Sequence, residues 1–166
     1  MRKLEKSVIV PVDESNLHQA AIIHSVSWKE SHRSFCEPDF IEMHTTERQE
    51  KYISDKIKNG TKFFMLISEE PTGIVSVTNS LIEDLYVLPD KQNMGFGTKL
   101  LHYAITQCTG TPTLWILENN INAERLYIRE GFVKTGKKNV ITDKLDEIEF
   151  ALMKDQIFVE WTIITS

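Results

Sequence analysis

The sequence predicts an α/β fold built on one mixed sheet rather than a doubly wound parallel one. Three observations carry this reading. Strand and helix periodicities both occur, but in the order strand, two helices, three strands, helix, strand, helix, strands, which is not a repeating βαβ string. Three strand-like runs follow one another between residues 62 and 88, the first two joined by the turn sequence Glu70-Pro71-Thr72-Gly73. The 166 residues contain no internal repeat, low-complexity stretch or linker, so one domain is expected over 1–166, with a core of about 7–154 and a β-prone tail over 155–166.

Element by element, Ser7 to Val12 reads as a first strand. Asp13-Glu14-Ser15-Asn16 offers capping side chains for a helix carrying Leu17, Ala20, Ala21, His24 and Trp28 at helical spacing. Pro38 can open a second helical stretch. Thr46-Glu47-Arg48-Gln49 reads as a capping box for a helix with Tyr52, Ile53 and Ile57 on one face and a stop at Gly60. Lys62–Ser68, Ile74–Asn79 and Leu81–Leu88 are the three strands. Leu100, Leu101, Ala104, Ile105 and Cys108 mark one face of the next helix. Thr113–Leu117 is a strand, Asn122–Glu130 a short helix leaving through Gly131-Phe132, and Val133-Lys134, Val140-Ile141-Thr142 and Ile148–Met153 are closing strands.

Bulk properties narrow the function. The chain is 41% hydrophobic and 26% charged with a formal net charge of -5, and no basic stripe stands out, so nucleic-acid binding is not expected. Cys36 and Cys108 share no close spacing and have no set of histidine partners, which argues against a structural metal or a disulfide framework; no metal is expected. No run approaches ~18 apolar residues, and Val8-Ile9-Val10 before Pro11 is too short for a signal peptide, so no membrane partner and a cytoplasmic location are the expectations.

The informative segment is Gln92-Asn93-Met94-Gly95-Phe96-Gly97, set between a strand and an amphipathic helix. Glycine there permits tight backbone and close approach of a ligand, while the free N–H groups and dipole of a helix start favour an anion. A Walker A loop would need Gly-Lys-Ser/Thr, but the chain reads Gly97-Thr98-Lys99. A dinucleotide fingerprint would need a small residue where Leu100 stands. A plain strand-to-helix turn remains open on the turn alone.

Ile82-Glu83-Asp84-Leu85-Tyr86-Val87-Leu88-Pro89, followed by Gln92-x-x-Gly95-x-Gly97, resembles the main cofactor motif of the GNAT N-acetyltransferase superfamily. Downstream, Asn120-x-x-Ala123-x-x-x-Tyr127-x-x-x-Gly131-Phe132 resembles its second signature, in the right order and at the usual distance. The resemblance spans roughly residues 7 to 154, although the first half matches in layout more than in residues. It implies an α+β GNAT fold: a mostly antiparallel sheet of six or seven strands flanked by about four helices and splayed where acetyl-CoA binds. It also implies an acyltransferase that moves an acetyl group from acetyl-CoA, its co-substrate, directly to a primary amine.

Carried over residue by residue, Gln92, Asn93, Met94, Gly95, Phe96, Gly97 and Thr98 would hold the pyrophosphate. The backbone of Leu85, Tyr86 and Val87 would bind the pantetheine arm and stabilise the carbonyl oxygen. Asn120 and Ala123 would contact the cofactor, Asn120 also being a cap with Asn122 as its alternative. Tyr127 would face the sulfur and protonate the leaving thiolate. A lysine-like amine, with a pKa near 10.4, is about one-thousandth neutral at pH 7, so a base near the acceptor matters. Glu83 is the candidate base, with Asp84 as its rival on the opposite face of a regular strand; a bulge could exchange their roles.

Trp28 and His32, one helical turn apart, lie where similar proteins roof the acceptor pocket, and both are candidate substrate contacts beside Glu83. His18, His24, His44 and His102 show no ligand spacing. Glu30, Glu37, Asp39 and Glu42 lean toward a small cationic acceptor. A protein N-terminus or lysine, or a non-catalytic acyl-CoA-binding domain of the same fold, are the alternatives. Ile157–Ile164 is strand-prone and is expected to add a strand, within the chain or across a homodimer.

Overall fold

The computed structural model describes residues 2–142 and 145–153. Chain order is α1 (Arg2–Glu5), β1 (Val8–Pro11), α2 (Leu17–His32), α3 (Pro38–Glu42), α4 (Thr46–Lys58), β2 (Lys62–Ser68), β3 (Glu70–Thr78), β4 (Leu81–Val87), a 3-10 turn (Pro89–Lys91), α5 (Phe96–Gln107), β5 (Thr113–Leu117), α6 (Ile121–Arg129), β6 (Val133–Thr142) and β7 (Leu145–Ala151). The seven strands form one sheet in the order β1-β2-β3-β4-β5-β7-β6. Every neighbouring pair is antiparallel except β4 and β5, which run parallel and meet in register only at Leu81 and Thr113. Beyond that one pairing the two strands part, and the parting opens the sheet at its centre. The expected mixed, mostly antiparallel architecture is the one observed.

Alternation along the strands sorts the core onto two faces. On β2, Phe63 and Met65 pack with Ala20, Ala21, Ile23 and Ile53 under α2 and α4, while Phe64 and Leu66 pack with Leu100, Leu101 and Ala104 of α5 on the other side. Ile74 continues the first face, and Val75 and Val77 the second. Phe132 and Phe150 extend the second core toward α6 and β7. No helix among the described residues is long and apolar enough to cross a membrane.

Local detail departs from the sequence reading in five places. A four-residue helix, α1, precedes β1, and its Leu4 packs against the α5-side core. The cap of α4 is Thr45, whose hydroxyl accepts from the Arg48 N–H, one residue before the expected box. Glu70 to Gly73 is strand rather than turn; the reversal is made at Glu69, which takes a left-handed φ of 67°. Val133–Thr142 is one continuous edge strand instead of two short ones. Asp84 sits at φ 53° inside β4, where the register with β3 steps from Ser76↔Glu83 to Ile74↔Tyr86. That step inserts one extra residue into β4, a bulge. The strand-prone Ile157–Ile164 segment, with the dimer expected from it, lies outside the described residues.

Candidate active site

The bulge decides which side chains reach the centre of the molecule. In a regular strand Glu83 and Asp84 would point to opposite faces; with the extra residue both turn toward α2 and α4, and Leu85 and Val87 still face α5. The opposition expected of a regular strand therefore does not arise, because the strand is bulged at Asp84. Asp84 is nearly buried, with 8% of its side chain accessible. It accepts at Oδ1 from His24 Nε2 (2.9 Å) and the Tyr52 hydroxyl (3.0 Å), and at Oδ2 from Ser76 Oγ (2.8 Å) and Lys56 Nζ (3.3 Å). Burial alone would raise its pKa, but these donors outweigh burial and hold it down at about 2. The same cluster keeps Lys56 charged: burial opposes the charge, and Asp84 first, then Glu83, restores it and pushes its pKa above the usual lysine range.

Glu83 is placed differently. Its side chain is 42% exposed and one oxygen, Oε1, takes a hydrogen bond from Lys56 Nζ at 2.9 Å. The carboxylate stands at the wall of a groove of about 1020 Å³ that runs through the opening between β4 and β5. Of the candidate catalytic, cofactor-binding and substrate-binding positions, Trp28, His32, Glu83, Asp84, Leu85, Tyr86, Val87, Gln92, Asn120, Ala123 and Tyr127 line this groove.

Tyr127 enters from α6. Its ring is buried against Phe132 (centroids 5.8 Å apart), and its hydroxyl makes no hydrogen bond with any described residue while lining the groove. Burial pushes the phenol above its ordinary pKa, so it stays protonated. The α6 start is fixed by Asn120, whose Oδ1 accepts from Ala123 N–H at 3.1 Å; Asn122 is not the cap.

Asn93, Met94, Gly95, Phe96, Gly97 and Thr98 are not among the groove-lining residues and lie at the start of α5. Asn93 (φ 62°) and Gly95 (φ 87°) are both left-handed, which folds the turn back on itself. The first intrahelical bond is Lys99 N–H to Gly95 O, which leaves the N–H groups of Phe96, Gly97 and Thr98 without an intrahelical partner. These donors fit a phosphate group. Phe96 can take part only through its backbone, because its side chain is in the core. Thr98 Oγ1 accepts from Arg129 at 3.3 Å, and Gln92 Nε2 donates to Val87 O at 3.2 Å, tying the turn to the end of β4.

At the other end of the groove, Trp28 is stacked between two imidazoles, His32 (3.9 Å, 10°) and His44 (3.5 Å, 11°). Their Nδ1–H groups donate to backbone carbonyls of Trp28 (2.8 Å) and Phe40 (3.0 Å). Burial, above the other influences, lowers both pKa values. Of the four carboxylates that favoured a cationic acceptor, only Glu30 lines the groove; Glu37, Asp39 and Glu42 do not. His24 and His44 were not singled out, and Ser27, Arg48, Gln49 and Tyr52 carry no motif signal. The contacts of His24, Gln49 and Tyr52, such as Gln49 Nε2 to His24 Nδ1 at 3.0 Å, join α2 and α4 to each other and to β4 across 25 to 60 residues. No three described His, Cys, Asp or Glu residues form a group that could hold a metal ion.

The family model described as acetyltransferase (GNAT) domain matches residues 29–153. The peptidyl-lysine N-acetyltransferase YjaB of Salmonella typhimurium is 27% identical over 103 residues, 61% of this chain and 70% of that protein. Among solved structures, PaiA N-acetyltransferase of Thermoplasma acidophilum, in complex with coenzyme A, superposes with a TM-score of 0.66 at 16% identity, covering 87% of this chain and 98% of that one. YncA of Salmonella typhimurium, with acetyl-CoA, gives 0.64 at 20% identity, covering 89% and 93%. With the match running over most of the chain and the sheet parting at the expected strands, the chain belongs to the GNAT acetyltransferase family.

Proposed function

We propose that this chain transfers an acetyl group from acetyl-CoA to a primary amine by direct attack, with Glu83 as the base and Tyr127 as the acid. The observation that carries the reading is that an accessible carboxylate and a phenol with no partner among the described residues line the same groove, opened by β4 and β5. Acetyl-CoA supplies a thioester whose carbonyl carbon accepts the amine and whose sulfur departs.

The protein's part is then divided among its residues. The α5 start offers backbone N–H donors and a favourable dipole for phosphate. The parting of β4 from β5 frees backbone groups around Leu85 to Val87 for the pantetheine arm and for charge building on the carbonyl oxygen; such donors are worth about 3 kcal/mol each. Glu83 takes the amine proton, directly or through a water. Asp84 is a poor base by comparison: its pKa lies near 2 and both oxygens are occupied. It orients Tyr52, Lys56 and His24 around the bulge. Tyr127, neutral and with its hydroxyl free, donates a proton to the leaving sulfur. Neither cysteine lines the groove, so no acetylated cysteine enters the scheme. A second reading follows the name of YjaB: the amine is a lysine of a protein.

An acceptor panel with acetyl-CoA, read by free-thiol release, tests the proposal. An amine should accelerate release, and Glu83→Gln should cut kcat about a hundredfold or more while leaving coenzyme A affinity intact. If no amine accelerates release although coenzyme A binds, the enzymatic reading fails; if the variant is unimpaired across pH, Glu83 is not the base.

A further inference from the structure

The wall of the groove between α2 and α4 contains polar groups that the folded chain does not use. Ser27 is 3% exposed, and among the described residues its Oγ is the buried side-chain polar atom with no hydrogen-bond partner. A buried hydroxyl left unpaired costs about 1–3 kcal/mol, so its retention facing a groove marks a place where something else completes the bond. Next to it, the indole N–H of Trp28 has no acceptor among the described residues. Arg48 lines the same groove, is exposed, and makes no ion pair or side-chain hydrogen bond with any described residue. Its charge reaches His44, the ring stacked on Trp28, and its neighbour Gln49 donates to His24, one turn before Ser27 and Trp28 on α2, so the three groups share one stretch of the groove wall. Glu30, the nearby acid, is engaged with Arg33 at 3.3 Å.

Three unused donors, one of them a guanidinium, describe a receptor for a planar anion, and a carboxylate matches an arginine fork. The position relative to the chemistry sets the size of the ligand. Arg48 precedes Tyr52 by four residues on α4, about 6 Å along the axis, and Tyr52 holds Asp84 beside Glu83. We propose that this patch selects, as acceptor, a small primary amine that also carries a carboxylate, with Arg48 and Ser27 binding the carboxylate while the amine lies at Glu83. The proposal names the substrate class of the transfer proposed above and rests on that reading.

Paired ligands test it. Free amino acids are compared with their carboxamides, with putrescine and spermidine as amines lacking a carboxylate, and with an end-blocked lysine peptide. Two readouts are used: thiol release, and calorimetric binding to the protein saturated with coenzyme A. The carboxylate forms should exceed their carboxamides by about tenfold to a hundredfold in kcat/KM and in affinity, the worth of charge-assisted hydrogen bonds. Arg48→Gln should erase that ratio through KM, lowering kcat/KM for the carboxylates far more than for the carboxamides, and Arg48→Lys should restore part of it. Ser27→Ala should raise KM for carboxylate acceptors while leaving Tm unchanged or higher, which a structural serine would not do.

Equal use of carboxamides, preference for spermidine or the lysine peptide, or an Arg48→Gln loss shared by both members of each pair overturns the proposal. Carboxylate-selective binding without turnover would support the site while sinking the enzymatic reading. Turnover without carboxylate selectivity would do the reverse.

Discussion

His24 Nε2 lies 2.9 Å from Asp84 Oδ1, joining the middle of α2 to a bulge sixty residues later in the chain. The pair is closed over by Tyr52 and Tyr86, whose rings stand 5.3 and 5.0 Å from the imidazole. The left-handed φ of Asp84 is costly for a residue with a side chain, roughly 1–2 kcal/mol, and four donors to its carboxylate hold it there. The carboxylate fixes the bulge, and the bulge places Glu83 at the groove.

The first prediction concerns that anchor. Asp84→Ala leaves the His24, Tyr52 and Ser76 donors without their acceptor and Lys56 with Glu83 alone, and should destabilise the fold by about 3–5 kcal/mol. The pH dependence has a definite sign. The folded pKa near 2 lies below the ordinary 3.8, so between those values the unfolded chain binds more protons. The contribution is fully present above pH 3.8 and is lost as pH falls through 2; it amounts to about 2 kcal/mol. Urea titrations from pH 5 to 2 should show the loss, and Asp84→Asn should flatten that limb. An unchanged acid limb in the variant would mean the anchor contributes nothing.

Tyr127 makes a separate case. With no partner for its hydroxyl among the described residues, Tyr127→Phe should leave Tm unchanged or slightly higher. A thiol is a fair leaving group, so the loss in kcat should lie at the low end for acid catalysis, about a hundredfold or less. Burial raises the phenol pKa above 10, so the wild-type rate should show no deprotonation limb from this residue up to about pH 10. A variant with lowered Tm and intact kcat would make Tyr127 a core residue only.

How much of this could be read in the residues follows from the range of the forces involved. The glycine turn, the Asn120 cap and the β2 strand are local, and each was legible as spacing or residue type, whereas the sorting of β2 onto two faces was not, because Phe63 to Ile67 is apolar throughout. The α4 cap was placed one residue late because Thr45 and Thr46 are both competent and only the hydroxyl of Thr45 meets the Arg48 N–H. Glu69 was missed as the turn because a left-handed glutamate has no sequence signature, whereas Pro71 and Gly73 suggested one wrongly. The Asp84 bulge and the His24 contact depend on partners sixty residues apart, which no periodicity records.

Gly73 offers a stability test near the donor site. It pairs with Val87 at the end of β4, and a Cβ there would stand 2.7 Å from Leu100 Cδ1 and 2.9 Å from the Tyr86 carbonyl oxygen. The leucine tip can move, but the strand carbonyl cannot without shifting β4. Gly73→Ala should therefore cost about 1–3 kcal/mol, as overpacked sites do. Because β4 carries Leu85 to Val87, coenzyme A affinity should fall together with stability; a stable variant with normal affinity would show that β4 tolerates the shift.

Gly95 should behave in the opposite way, with binding lost more than stability. Its φ of 87° is unfavourable for alanine by roughly 1–2 kcal/mol, and a Cβ would also stand 3.0 Å from Leu4 Cδ2 of α1. The two penalties separate by a double variant. Leu4→Ala opens the space and should remove the steric part, but it cannot relieve the backbone, which relaxes by rotating the turn and moving the N–H donors at the α5 start. Gly95→Ala alone should weaken coenzyme A binding about tenfold or more, since 1.4 kcal/mol is a factor of ten. Measured against Leu4→Ala alone, the double variant should lose only the backbone part of the stability while binding remains weak. Full recovery of binding in the double variant would mean that contact with α1, rather than the left-handed turn, is what the glycine protects.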